Sequence, residues 1–180
     1  VAKHFPGHGD TAEDSHYTLP AVHHDRARLD SVELLPFKRY IYDGYAGVMT
    51  GHLYVPALAK ARNKPDSMSR AAVSDLLQKE LGFRGLCFTD ALAMKGATTR
   101  KSDNPSVMAL LAGNDILLAP TAPINDFAAV KEALEEGILD REEIEAKIIK
   151  ILQYKYIAGL NDYRPVETKG LSERLNSPHA

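Results

Sequence analysis

Between Lys3 and His16 the chain reads KHFPGHGDTAEDSH. His4, His8 and His16 stand there with Lys3, Asp10, Glu13 and Asp14. Pro6, Gly7 and Gly9 break the run, so it forms a loop and not a core element. Titratable groups on a stiff loop beside a short apolar start suit proton transfer or ligand capture. Asp14 and His16 are two positions apart. At that spacing the carboxylate can accept from one imidazole nitrogen and orient the ring. A ring held that way is oriented to exchange a proton with a ligand. In isolation, an Asp-x-His is more often a pair of solvated loop residues, and a Lys-His pair is more often strand-end packing. Gly7, His8 and Gly9 are expected to shape the loop, since glycine admits turns that other residues resist.

Other candidates lie further along. Asp90 follows the apolar run from Leu86 to Thr89 and precedes the small Ala91. A carboxylate so placed can act as a nucleophile, or it can cap a turn. His52 follows the run from Ala46 to Met49 and could line a pocket or stand satisfied behind one. Met94 could pack below Asp90 or against a ligand, with core packing favoured. His23, His24 and Asp25 adjoin, but their spacing lacks a clear third and fourth ligand, which argues against a metal. Cys87 is the sole cysteine. Within GLCFTD it reads as a small buried hydrophobe with no disulfide partner in the chain.

These residues need elements to place them. Apolar runs predict strands near 1–5, 46–49, 86–89 and 116–119. Helical spacing predicts helices over 29–42, 67–81, 107–112, 124–136 and 140–157. Gly82, Gly113 and Gly137 serve as stops, and Asp140 as the N-cap of the last helix. Four strands separated by helices indicate right-handed βα units on a parallel sheet. His4, His52 and Asp90 each follow a strand's apolar run, so all three belong to the C-terminal edge, where such sheets build their sites. Four units are half of an eight-stranded barrel and would leave two strand edges to be covered by other sequence or a second copy.

A chain of 180 residues, 44% hydrophobic, can bury the core of one domain. Its net charge of −2 gives no sign of a nucleic-acid or anionic-membrane partner. No apolar stretch approaches the ~18 residues that a membrane span needs. The chain opens at Val1, directly into the histidine loop, which suggests a piece of a longer protein cut inside a domain. The compartment stays open between cytoplasm and export.

KHFPGHGDT, then DSH, then GFRGLCFTDALAM resemble glycoside hydrolase family 3, and in particular its bacterial β-N-acetylglucosaminidases. The three motifs occur in the family's order, and the resemblance runs the length of the chain. It implies an α/β fold, the C-terminal half of a TIM-type (β/α)8 barrel, over about 1–160. Residues 161–180 would lead towards a second domain. It implies Asp90 as nucleophile, His16 with Asp14 as a His–Asp acid/base pair in place of the usual second carboxylate, and Lys3 and His4 as sugar-binding residues. His52 and Met94 would complete the substrate contacts. No cofactor or metal is implied. The expected reaction is retaining hydrolysis of terminal β-linked N-acetylglucosamine through a covalent glycosyl-enzyme, with cell-wall fragments as one source of substrate. The partners implied are a carbohydrate and the missing barrel half, which would add a sugar-binding Asp and Arg; a half-barrel alone would be weak or inactive and prone to self-association. Two alternatives remain: a β-glucosidase-type relative, disfavoured by Asp-Ser-His, and a catalytically silent carbohydrate-binding piece. One departure stands out, because Thr50 and Gly51 occur where relatives often carry Pro and Ala.

Overall fold

A computed structural model of the chain describes residues 1–58, 64–97 and 103–176. Four strands form one parallel sheet in the order β1 (Ala2–Phe5), β2 (Gly47–Thr50), β3 (Leu86–Ala91) and β4 (Ile116–Leu118). Consecutive strands are neighbours, and each is reached through a helical crossover, as parallel pairing requires. Val48 aligns with Cys87 and Thr50 with Thr89, while Phe5 aligns with Thr50. The chain ends of β1, β2 and β3 therefore share one edge, and they carry His4, His52 and Asp90 there.

The crossover after β1 is less regular than its spacing predicts. In place of one helix over 29–42 it winds as a single turn at Arg26–Arg28, a π-helical stretch at Leu29–Glu33, and α1 (Leu35–Tyr42). Pro36 occupies the first turn of α1, where its missing N–H costs nothing but the helix cannot run through it unbroken. The second crossover is also split. Asp66–Met68 forms a 3₁₀ turn, Ser69 is extended, and α2 (Ala71–Glu80) is wound with π-type bonds. Leu81 N–H accordingly reaches back five residues to Leu76 O at 2.9 Å. α3 (Pro105–Ala112) starts earlier than its apolar run suggests, because Asn104 caps it, accepting from the N–H groups of Ser106 and Val107. Gly113 closes it in the left-handed conformation at φ 116°. α4 (Pro123–Glu135) and α5 (Arg141–Ile157) match their predicted ranges to within a residue or so, and Asp140 caps α5 by accepting from Glu143 N–H. A short helix, α6 (Leu171–Leu175), lies in the exposed 161–176 tail.

The core sits on the face of the sheet that α1 and α2 cover. Phe5, Leu34, Phe37, Val48, Val73, Leu77, Phe83 and Cys87 pack there. Cys87 is the buried small hydrophobe expected of it, and burial pushes its thiol up to about 11. A smaller cluster of Met68, Leu92, Ala97 and Ala109 lies under α3. No helix among the described residues is long and apolar enough to cross a membrane.

Candidate active site

β3 carries Asp90 one residue from its end, and the strand runs on through Ala91. Ala91 N–H donates to Asp90 Oδ1 at 2.8 Å, which fixes the carboxylate's rotation. The other oxygen, Oδ2, stands 3.5 Å from His4 Nε2 on β1. Burial holds the His4 imidazole below its ordinary 6.5, outweighing the pull of the Asp90 carboxylate. A neutral ring beside an anionic carboxylate can offer one N–H without cancelling the charge. Lys3 is exposed next to it. Lys3 and His4 line a cavity of about 490 Å³ together with His8, Asp10, Arg28 and Glu33. Asp90 is not among the residues lining that cavity, and His4 links the two.

Asp14 and His16 form the pair that their spacing suggests. His16 Nδ1 lies 2.8 Å from Asp14 Oδ1, and the His16 backbone N–H donates to the same oxygen at 2.9 Å. Those two bonds, the backbone one foremost, hold the Asp14 carboxyl below its usual range. With Nδ1 engaged, Nε2 is the nitrogen open to a ligand, and the ring is largely exposed.

His52 occupies a different place. It is fully buried, with Nδ1 2.7 Å from Ser67 Oγ and Nε2 3.0 Å from Ala91 O. Both nitrogens are used inside the protein, and burial lowers its pKa. The ring thus braces the carbonyl next to Asp90 from behind and does not face a ligand. Met94 is half-buried in the turn after β3, its N–H donating to Ala91 O at 3.0 Å. Of the seven residues singled out from the sequence, Asp90 and His4 are brought together directly, and Lys3 adjoins them. Asp14 and His16 pair on the neighbouring loop.

The Thr50–Gly51 departure has a clear local meaning. Thr50 faces inward, its hydroxyl donating to Asn114 Oδ1 at 2.9 Å. Gly51 bears on the site, because a Cβ there would stand 3.0 Å from His4 Cβ, a tight contact that His4 would have to ease by a few tenths of an ångström.

Several structuring residues carry no signal in local spacing. Arg28 donates to Glu33 Oε1 at 3.1 Å and lies 3.7 Å from Asp10 Oδ2, while His24 Nε2 is 2.5 Å from that same Asp10 oxygen. This ion-pair knot joins the histidine loop to the crossover after β1. Asp10, His24 and Glu33 place ligand atoms within 4.8 Å of one another, so a third potential ligand does reach His24 from a distance in sequence. The Arg28 guanidinium, however, already lies against both acids. Asp25 takes no part and instead caps the turn at Arg26–Arg28. Gly7, at φ 143°, abuts Glu33, whose Cβ lies 2.7 Å from where a Gly7 Cβ would stand. Both its conformation and its space exclude a side chain, as expected of a loop-shaping glycine.

Residues 1–154 match the model of the glycosyl hydrolase family 3 N-terminal domain. The chain belongs to glycosyl hydrolase family 3. Its four parallel strands are half of that family's TIM-type barrel. A β-hexosaminidase A from Pseudoalteromonas piscicida is 36% identical over 173 residues, covering 85% of this chain and 29% of that protein. Among solved structures, a family 3 β-N-acetylglucosaminidase from Paenibacillus superposes with a TM-score of 0.83 at 36% identity, covering 92% of this chain and 32% of that one. The β-N-acetylglucosaminidase from Thermotoga maritima superposes at 0.73 with 30% identity, covering 84% and 33%. This family 3 chain therefore spans about a third of the length of the relatives it matches.

Proposed function

We propose that this chain supplies the nucleophile and the acid/base of a retaining glycosidase that removes terminal β-linked N-acetylglucosamine. The observation that carries this reading is the pairing of two differently built groups at one sheet edge. Asp90 is an ionisable carboxylate held rigid by Ala91 N–H and His4. His16 is an exposed imidazole held by Asp14. Retaining hydrolysis needs a nucleophile and a separate proton carrier.

In the first step an Asp90 oxygen attacks the anomeric carbon, and the bond to the leaving oxygen breaks. That oxygen takes a proton from His16 Nε2, while Nδ1 stays on Asp14. In the second step His16 takes a proton from water, whose oxygen attacks the anomeric carbon and releases Asp90 as the carboxylate. The enzyme returns to its starting charge. Lys3 and His4 donate to sugar hydroxyls. The remaining barrel strands would close the pocket and add the sugar-binding Asp and Arg.

An activated 5-fluoro-N-acetylglucosaminide, which forms the glycosyl-enzyme faster than it releases it, tests this in the whole protein. Peptide mass mapping should place the trapped sugar on Asp90. Asp90→Asn should lower turnover by about 10⁴-fold or more. A label on another carboxylate, or full activity in Asp90→Asn, would sink the reading.

A further inference from the structure

The loop that carries Asp14 and His16 is docked on the turn that follows β3. Lys95 N–H donates to His16 O at 3.4 Å, and Gly96 N–H donates to Ser15 O at 3.2 Å. Ser15, which lies between the two members of the pair, is buried. Its hydroxyl stands 3.2 Å from His8 Nε2, and His8 Nδ1 stands 2.7 Å from Thr11 Oγ1. Asp14 O accepts from the N–H groups of Tyr17 and Thr18 at 3.0 and 3.1 Å, which closes the loop into a turn. The proton carrier is thus tied on one side to the His8 brace and on the other to the nucleophile's own segment.

Gly96 decides whether that second tie can form. It is buried, and a Cβ on it would stand 2.8 Å from Ser15 O, 2.9 Å from Thr18 O and 3.1 Å from His52 Cβ. The first two are backbone carbonyls. The third is the stem of a ring locked between Ser67 and the Ala91 carbonyl. None of these can give way as the end of a flexible side chain would. From Ala91 to Ala97 the turn is internally bonded, Met94 N–H to Ala91 O and Ala97 N–H to Met94 O, both at 3.0 Å. The seat therefore moves with Asp90.

We infer that the Lys95–Gly96 backbone is the seat that holds the acid/base loop in register with the nucleophile, and that Gly96 is a positioning residue whose missing side chain admits the loop. This rests on the proposed roles of His16 and Asp90. A misplacement of about 1 Å in a reacting group costs roughly 10²-fold. The loss falls on the step that uses the misplaced group, so Gly96→Ala should act as a partial loss of His16.

The test uses the whole protein and β-N-acetylglucosaminides of graded leaving-group ability. Gly96→Ala should lose about 10²-fold in kcat/KM, which reports the first step alone, on poor leaving groups and under about threefold in kcat/KM on a dinitrophenyl glycoside, which departs without a proton. In a His16→Ala background the same change should cost less than about threefold on every substrate, because the group it displaces is gone. Equal losses across leaving groups, or a full second loss on top of His16→Ala, would overturn the inference. Hydrogen exchange gives a readout independent of turnover. The Gly96 amide should be protected in the parent and should exchange about tenfold faster in Ser15→Ala, which cuts the His8 brace, while the Asp115 amide is unchanged. An unprotected Gly96 amide overturns the seat even in a protein that cleaves the sugar. A protected one in a protein that does not cleave it leaves the seat standing and removes the reaction.

Discussion

Asp66 is a buried carboxyl left without full compensation among the described residues. It is 1% exposed, and neither carboxylate oxygen has a hydrogen-bond partner among the described residues. Burial raises its pKa well above the ordinary 3.8, and the nearby Val55 N–H offsets only part of that. The unfolded carboxyl ionises near 3.8, whereas the folded one keeps its proton to higher pH. Between those two values the folded state binds more protons, so stability falls as pH rises. Asp66→Asn should remove that slope, raising the melting temperature at pH 7 by about 3 °C or more and leaving it nearly unchanged near pH 4. Melting curves across that range check it. Equal shifts at both pH values would show that ionisation is not the cost. The catalytic candidates are legible in the sequence because each is local: Asp90 at a strand end, Asp14 and His16 two apart, Lys3 and His4 adjacent. What the sequence hides is what each of them leans on. His52 is indistinguishable from a ligand-facing histidine until Ser67 and the Ala91 carbonyl are seen to use both its nitrogens. Gly96 shows its purpose only when Ser15 is folded back upon it.

At the scale of elements, the tie between strands and crossovers runs through Asn114. This fully buried amide accepts from the Thr50 hydroxyl on β2 at 2.9 Å. It donates to Ser67 O in the 3₁₀ turn at 2.7 Å and to Ala109 O in α3 at 2.9 Å. One side chain thus fastens three elements just below the Asp90 edge, and the same turn holds His52 through Ser67 Oγ. Removing it leaves buried groups without partners, each worth about 1–3 kcal/mol. Asn114→Ala should cost about 3 kcal/mol or more in denaturant unfolding. A loss below about 1 kcal/mol would mean that the three elements are held by apolar packing alone. Strands and late helices were readable from period and caps, since Asp140 and the stop at Gly113 act locally. The first two crossovers were not. Their apolar spacing fits a helix, but Pro36 and the extended Ser69 interrupt it, and π-type winding keeps the same face inward across the breaks. Asn104 was missed for the opposite reason, because a cap lies outside the apolar run that it starts.

For the molecule as a whole, the decisive feature is unfinished burial. β1 pairs only with β2 and β4 only with β3 among the described residues, so the outer edge of each is open. α5 presents Ile148, Leu152 and Tyr156, one turn apart along one stripe, with Ile149 beside them. All four are at least half exposed, Tyr156 at 69%. Apolar stripes and open edges of this kind mark surfaces that another chain segment covers. In a closed barrel the strand edges would pair with the other half, and tilt and stagger leave no free edge. The 180-residue chain by itself has only a second copy to use. It should therefore self-associate at micromolar concentration, and Ile148→Glu with Leu152→Glu should shift it towards monomer, because each buries a charge in any interface built on that stripe. Sedimentation velocity reads both outcomes. If the double variant associates as strongly as the parent, the strand edges and not the α5 stripe form the contact. A parent that stays monomeric at high concentration would mean that neither surface is sticky enough to need covering.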